Sequence, residues 1–248
     1  MSVFAQLVER LADLLEPLFH GSATAAAIIL FTALVRLAVH PLSRAAARGQ
    51  KANARLAPRV AELRKKHGKN PERLQKALLE LYAKEKASPL SGCLPSLLQI
   101  PAFFLLYHLF SSGSIGGEPN ALLAHTLFAA PLGDRWTDAL DAGGVAGGAG
   151  VVYLVLFAIV LGVAVFNYRR TRRQMADAPA IDPTTPGAAA MAPMMKVMPL
   201  LSFATLITVA VVPLAAALYI VTSTTWSAVE RVLLYRDMPT AGALAQPL

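Results

Sequence analysis

The chain has 248 residues, 55% of them hydrophobic, with a mean hydropathy of +0.50 and a formal net charge of +8. Soluble domains carry about 45–50% apolar residues, and here the charges cluster in blocks between long uncharged stretches, so an ordinary soluble globular domain is excluded. The single cysteine, Cys93, excludes an intrachain disulfide and a cysteine-rich metal site.

Residues 1–20, "MSVFAQLVERLADLLEPLFH", lack the basic start and apolar core of a cleavable signal, because Glu9, Asp13 and Glu16 stand in the way. Phe4, Leu7, Leu11, Leu14 and Leu15 instead predict one apolar helix face, and with it an N-terminal amphipathic interfacial helix. A membrane-crossing helix needs about 20 mainly apolar residues. The first candidate is 21–40. The next segment, 41–92, holds thirteen Lys or Arg against four acids and is expected to form a helical hairpin. Leu56, Val60 and Leu63 keep helical spacing, Gly68 breaks it, Asn70 offers a cap before Pro71, and Leu74, Ala77, Leu78 and Leu81 resume it.

The second candidate span is 93–112, followed by a loop over 113–150 whose "DAGGVAGGAG" end is expected to be flexible and of low complexity. The third span is 151–167, and a basic loop occupies 168–197. The last apolar run is too long for one crossing. Pro213 lacks the N–H a continuous helix would use there, so the run is expected to divide into a fourth span, 198–212, and a fifth, 213–234, before a tail at 235–248. The alternative is a single kinked helix. The expected class is therefore an all-α polytopic membrane protein with five transmembrane helices. The excess of Lys and Arg in 41–92 and 168–197 places both loops in the cytoplasm, the amino terminus outside and the carboxyl terminus inside.

"ILFTALVRLAVHP" puts Arg36 inside the first span, with Thr32 one turn away. An arginine at a span centre costs about 2.5–3.5 kcal/mol on insertion scales. Snorkelling to the nearby cytoplasmic end would relieve that cost. A hydrated cavity within the bundle would relieve it too, and Gln99, Thr205, Thr208 and the Thr222–Ser223–Thr224–Thr225 cluster add polar groups on other spans. Each hydroxyl alone is more simply bonded to its own helix. No span carries an acid before Glu230, so Arg36 is expected to lack a buried acidic partner and to serve visiting anionic chains. Arg59, Arg64, Lys65, Lys66, Lys69 and Arg73 of the hairpin are candidates for contact with anionic lipids or with an acidic partner such as ribosomal RNA or a targeting factor. No phosphate loop, H-E-x-x-H or nucleophile elbow is present, and the five histidines are scattered singly. Neither a metal nor another cofactor is expected, nor an enzyme that hydrolyses nucleotide.

"LVRLAVHPL", "LYAKEKASPLSGCLPSLLQIPAFFLLYHLF", "MMKVMPLL" and "VVPLAAALYIVTSTTWSAVERVLL", in that order, closely resemble the YidC membrane protein insertases, which have mitochondrial and chloroplast relatives. The resemblance covers roughly residues 20–236 and is to the shorter bacterial form. It implies five spans around a polar groove, closed toward the outside, in a bacterial plasma membrane. It implies nascent membrane proteins as substrates and the ribosome, a targeting factor or the Sec translocon as partners. The groove or contact positions it implies are Arg36, Thr32, Gln99, Tyr219, Ile220 and Thr222. Ser88, Ser91 and "TSTTWSAVER" depart from the family pattern, which leaves side-chain roles in the fifth span open. Two rivals stand beside this reading: a small-anion transporter using Arg36, against which no repeat symmetry is visible, and a non-catalytic assembly factor for membrane complexes.

Overall fold

The computed structural model describes residues 2–67, 70–85, 87, 94–176 and 197–236, with the side chains of 2, 94–99, 101 and 102 outside that description. The described residues are mainly helical. The chain divides into two compact units, the first made of Met1–Val39, Ile100–Asn167 and Leu201–Val229, the second of His40–Gln99, Tyr168–Leu200 and Glu230–Leu248.

In the first unit, α1 (Ser2–Phe19) turns through His20–Ser22 into α2 (Ala23–His67). The apolar face of α1 is split. Ala5, Val8 and Ala12 are buried and Leu11 and Leu15 pack against the core, whereas Leu7 and Leu14 point outward. Phe4 meets Phe31 of α2 edge-on with centroids 6.4 Å apart. The helix thus packs on the bundle with one stripe and leaves a second stripe exposed, a division that the single face read from the sequence did not contain.

Three further helices complete this unit: α4 (Leu94–Ser111), α6 (Gly148–Ala176) and α8 (Leu214–Leu234), with the short α7 (Ala204–Val211) before α8. Their buried residues form one cluster with Ile28 of α2, including Leu109, Phe110, Tyr153 and Val160. Every residue of α8 from Leu214 to Ile220 is buried. A helix apolar all round belongs in the middle of a bundle, and the run of Ala215, Ala216 and Ala217 lets neighbours approach its backbone closely.

The chain breaks between α7 and α8 at Val212 and Pro213. A helix start leaves backbone N–H groups without intrahelical acceptors. Here the loop after α4 supplies two of them: Leu214 N donates to Asp134 O at 2.8 Å and Ala215 N to Leu132 O at 2.9 Å. That loop contains two two-stranded ribbons, Ser114–Ile115 with Glu118–Pro119 and Thr126–Leu127 with Ala130–Pro131, and then α5 (Trp136–Gly143). Leu122 and Leu132 are fully buried, and Asn120 donates to Leu109 O and Ser112 O at 2.9 Å. The Tyr153 hydroxyl donates to Asp134 O at 2.6 Å.

The glycine-rich stretch is not the loose connector its composition suggests. Gly144 has φ 69°, and a Cβ on Gly150 would fall 2.4 Å from Gly144 O and 2.6 Å from Val145 O. Glycine is required because α6 begins pressed against the preceding turn.

In the second unit, α2 does not end at His40; it passes through Pro41 and Pro58 to His67. Each proline removes one backbone bond, at about 3 kcal/mol in a helix interior, and buried Ala46, Ala47 and Leu56 provide packing that offsets it. At 1.5 Å per residue this helix is about 68 Å long, so no membrane core contains all of it. Asn70 then caps α3 (Pro71–Lys84), its side chain accepting from Arg73 N at 3.1 Å. Arg59 pairs with Glu85 beyond the end of α3, joining the two helices into a hairpin whose Leu63, Leu74, Leu78 and Leu81 are half-buried.

Among the described residues, two helical stretches are long and apolar enough to cross a membrane, Val3–His67 and Gly148–Ala176, with mean hydropathies of 2.0 and 2.8 over their most apolar windows. The run Met198–Val211 is apolar and shorter.

Gly150→Ala is expected to lower the thermal midpoint in detergent, the overpacking costing about 1–3 kcal/mol. Gly162→Ala, where an added Cβ meets nothing within 4 Å, should leave it unchanged or raise it.

Candidate functional site

Ile28, Phe31, Thr32 and Val35 follow the spacing of one helix face, and Arg36 continues it at the next turn. Ile28, Phe31 and Thr32 are buried, while Leu30, Leu34 and Leu37 on other sides of α2 are exposed. Arg36 is therefore directed into the first unit, away from the apolar exterior, which argues against simple snorkelling.

One partner is Ser223 of α8. Arg36 Nε donates to Ser223 Oγ at 3.0 Å, and Nη2 donates to the same oxygen. The guanidinium thus lies on the face that α2 turns toward the bundle, with an uncharged hydroxyl among its acceptors.

Tyr219 stands one helical turn before Ser223, within electrostatic reach of Arg36. It is only 2% exposed. Its ring lies 6.0 Å from that of Phe103 and 5.9 Å from that of Phe110, both on α4. Tyr219 and the buried Ile220 accordingly belong to the packed interior around α8. Thr32 is likewise buried, and its hydroxyl donates to Ile28 O at 2.7 Å, within its own helix. Thr222 is half-buried. The Gln99 side chain lies outside the described residues.

The remaining hydroxyls divide by helix phase. Thr208 donates to Ala204 O, Thr224 to Ile220 O and Ser227 to Ser223 O, all four residues back. Among the described residues, Thr225 Oγ1 and Trp226 Nε1 are buried without a hydrogen-bond partner. Buried polar groups of this kind are uncommon in folded chains, and these two sit within one turn of Ser223. Sequence reading gave Ser223 no role above its hydroxyl neighbours; the signal was its spacing of four from Tyr219, which sets both on one α8 face.

In the second unit, Arg64, Lys65, Lys66 and Arg73 are exposed, Arg59 is exposed and engaged with Glu85, and Lys69 lies outside the described residues. His40 Nδ1 and Glu230 Oε1 are 2.5 Å apart, so the one acid of the fifth candidate span meets a histidine. Among the described residues no three His, Cys, Asp or Glu side chains gather closely enough to hold a metal ion.

The family described as "60Kd inner membrane protein" matches residues 15–241. The chain is also similar to individual proteins named membrane protein insertase YidC. The one from Alkalilimnicola ehrlichii is 47% identical over 81 residues, which are 33% of this chain and 14% of that protein. The one from Polynucleobacter asymbioticus is 42% identical over 101 residues, 40% of this chain and 18% of that protein. The one from Clostridium perfringens is 40% identical over 91 residues, 37% of this chain and 38% of that protein. The matched stretches thus span well under half of these relatives' lengths.

Ser223→Ala removes the acceptor of both Arg36 donors and should destabilise the protein by about 1.5–3 kcal/mol, the range for hydrogen bonds to charged groups. Thr224→Ala, whose hydroxyl bonds its own helix, should cost less. Denaturant titration in detergent compares the two.

Proposed function

The chain belongs to the 60Kd inner membrane protein family, and from that premise we propose that it is a membrane protein insertase. It transfers apolar segments of nascent proteins into the bilayer without hydrolysing nucleotide. The supporting observation is the Arg36 guanidinium, directed into the bundle from the otherwise apolar first part of α2 and bonded to a hydroxyl.

The proposed arrangement has five spans in a bacterial plasma membrane: the first part of α2, α4, the first part of α6, the run ending in α7, and α8. The amino terminus faces outward, and the basic hairpin and the carboxyl terminus face the cytoplasm. Arg64, Lys65, Lys66 and Arg73 then meet anionic headgroups, a ribosome or a targeting factor, and the protein works alone or beside the Sec translocon.

The insertion step follows from two physical terms. A segment of about 20 apolar residues gains of the order of 5–10 kcal/mol on entering lipid. Its polar flank, often acidic, must cross or remain in an apolar layer about 30 Å thick. The run Met198–Val211, six residues of tight helix and eight of α-helix, is at most about 24 Å long at 2.0 and 1.5 Å per residue. A span that short favours a thinner bilayer around it. Arg36 offers the acidic flank a transient partner partway across, and burial of the apolar segment in lipid then drives release.

Vesicles reconstituted with the protein and a small single-spanning substrate bearing an acidic amino-terminal tail test this reading. Arg36→Ala should slow insertion about tenfold, the worth of one partly screened charge pair. Arg36→Lys should retain most activity, and a substrate with a neutral tail should be insensitive to either change. Equal insertion of the acidic-tailed substrate by Arg36→Ala would remove Arg36 from the mechanism.

A further inference from the structure

In the first unit, the ribbon Thr126–Leu127 with Ala130–Pro131 packs against the turn His20–Ser22 that leads into α2. Its two-residue tip, Phe128 and Ala129, is fixed from both sides. Phe128 N donates to Ser22 Oγ at 3.3 Å, and a Cβ placed on Gly148 would lie 2.7 Å from Ala129 Cβ, so the tip rests against the first residue of α6. It therefore touches the start of α6 and the residue before α2, which belong to the two stretches long and apolar enough to cross a membrane.

Phe128 fits that place poorly on two counts. Its backbone is left-handed, with φ 52°, where a two-residue connection favours glycine or asparagine and a bulky side chain is disfavoured. Its ring is also 79% exposed, whereas Ala130 and Leu132 just after it are fully buried. Among the described residues, the other non-glycine position of this backbone type is His20, φ 48°, in the turn on which the ribbon packs. An aromatic ring that strains its own backbone and packs on little else of the chain is favourable only if it enters an apolar phase.

Position decides which phase. Ile29 and Leu30, two turns into α2, and Val151, Leu154 and Val155, starting one turn into α6, are exposed. They make up an apolar exterior, and the tip lies just beyond its edge. That is the level at which interfacial segments bury Phe and Leu about 5–10 Å into the boundary between headgroups and acyl chains. Leu18 and Phe19, directly before the His20–Ser22 turn, are exposed as well. One ring and two neighbouring side chains are too little for a stable protein interface, which takes about 800 Å² from each partner. A lipid boundary accepts single anchors.

We propose that the Phe128–Ala129 tip is a lipid anchor: the Phe128 ring enters the headgroup and acyl-chain boundary of the leaflet on that side, the outer one in the orientation proposed above. Through Ser22 and Gly148 it sets the depth at which α2 and α6 enter the bilayer. This assignment rests on the reading of α2 and α6 as membrane spans.

The full chain carrying Phe128→Trp, which keeps an aromatic ring, tests it in phosphatidylcholine vesicles with bromine on the upper or the lower part of the acyl chains. Emission is read above that of wild type. The added emission should fall about twofold with upper-chain bromine, fall less with lower-chain bromine, and be shielded from iodide present on both sides. Emission that iodide quenches and bromine does not would put the tip in water and overturn the anchor. Emission shielded from both would put the tip against protein and overturn it equally, as would strongest quenching by lower-chain bromine. If a melting curve shows Phe128→Trp to be misfolded, an environment-sensitive fluorophore on Phe128→Cys/Cys93→Ser carries the same readout. A chain that does not float with the vesicles after an alkaline wash would overturn the membrane reading itself, whereas a floating chain with a wet tip overturns the anchor alone.

Discussion

The arrangement of the first unit depends on two hydrogen bonds from the start of α8. Pro213 interrupts the final apolar run, and the break leaves N–H groups that an apolar interior cannot satisfy. The carbonyls of Leu132 and Asp134 accept those of Leu214 and Ala215. This fixes the start of α8 against the loop, and from that anchor the helix phase follows. Tyr219 comes to rest between Phe103 and Phe110, and Ser223, one turn on, meets Arg36.

The loop between α4 and α6 is therefore a structural part of the bundle. Buried Leu122 and Leu132, the Asn120 amide on Leu109 and Ser112, and the Tyr153 hydroxyl on Asp134 all secure it. In the proposed orientation this loop closes the outer end of the bundle. The polar centre at Arg36 lies farther along both helices, toward the side that this proposed orientation puts in the cytoplasm. That asymmetry suits a protein that receives polar segments from one side only.

Local chemistry made some of this legible in the sequence. Gly68, Asn70 and Pro71 mark the start of α3 because cap and proline effects act within a few residues, and Pro213 marks the break before α8 for the same reason. Arg36 stood out because a guanidinium is costly in an apolar run. What was not legible depends on distant partners. Ser223 is 187 residues from Arg36 in sequence, and among four adjacent hydroxyls only the packing of Tyr219 decides which one faces it. The first span and the basic hairpin read as separate segments meeting at 40 and 41, yet one helix, α2, runs through Pro41. The glycine stretch read as flexible because composition does not reveal that Gly150 is pressed against two carbonyl oxygens. Tyr219 and Ile220 read as groove or contact positions, and that they are buried was not legible in the sequence.

The central claim is that an entering apolar segment passes along the exposed part of this helix bundle near Arg36. Photoreactive residues placed singly at Thr222, which is half-buried, and at Phe104, which is 64% exposed, test it on ribosome-bound nascent chains stalled with one apolar segment emerged. The same probe at buried Tyr219 is the internal comparison. The account predicts crosslinks to the nascent segment from Thr222 and Phe104 and none from Tyr219. Crosslinks from Thr222 and Phe104 only to finished membrane complexes, and never to the nascent segment, would contradict it.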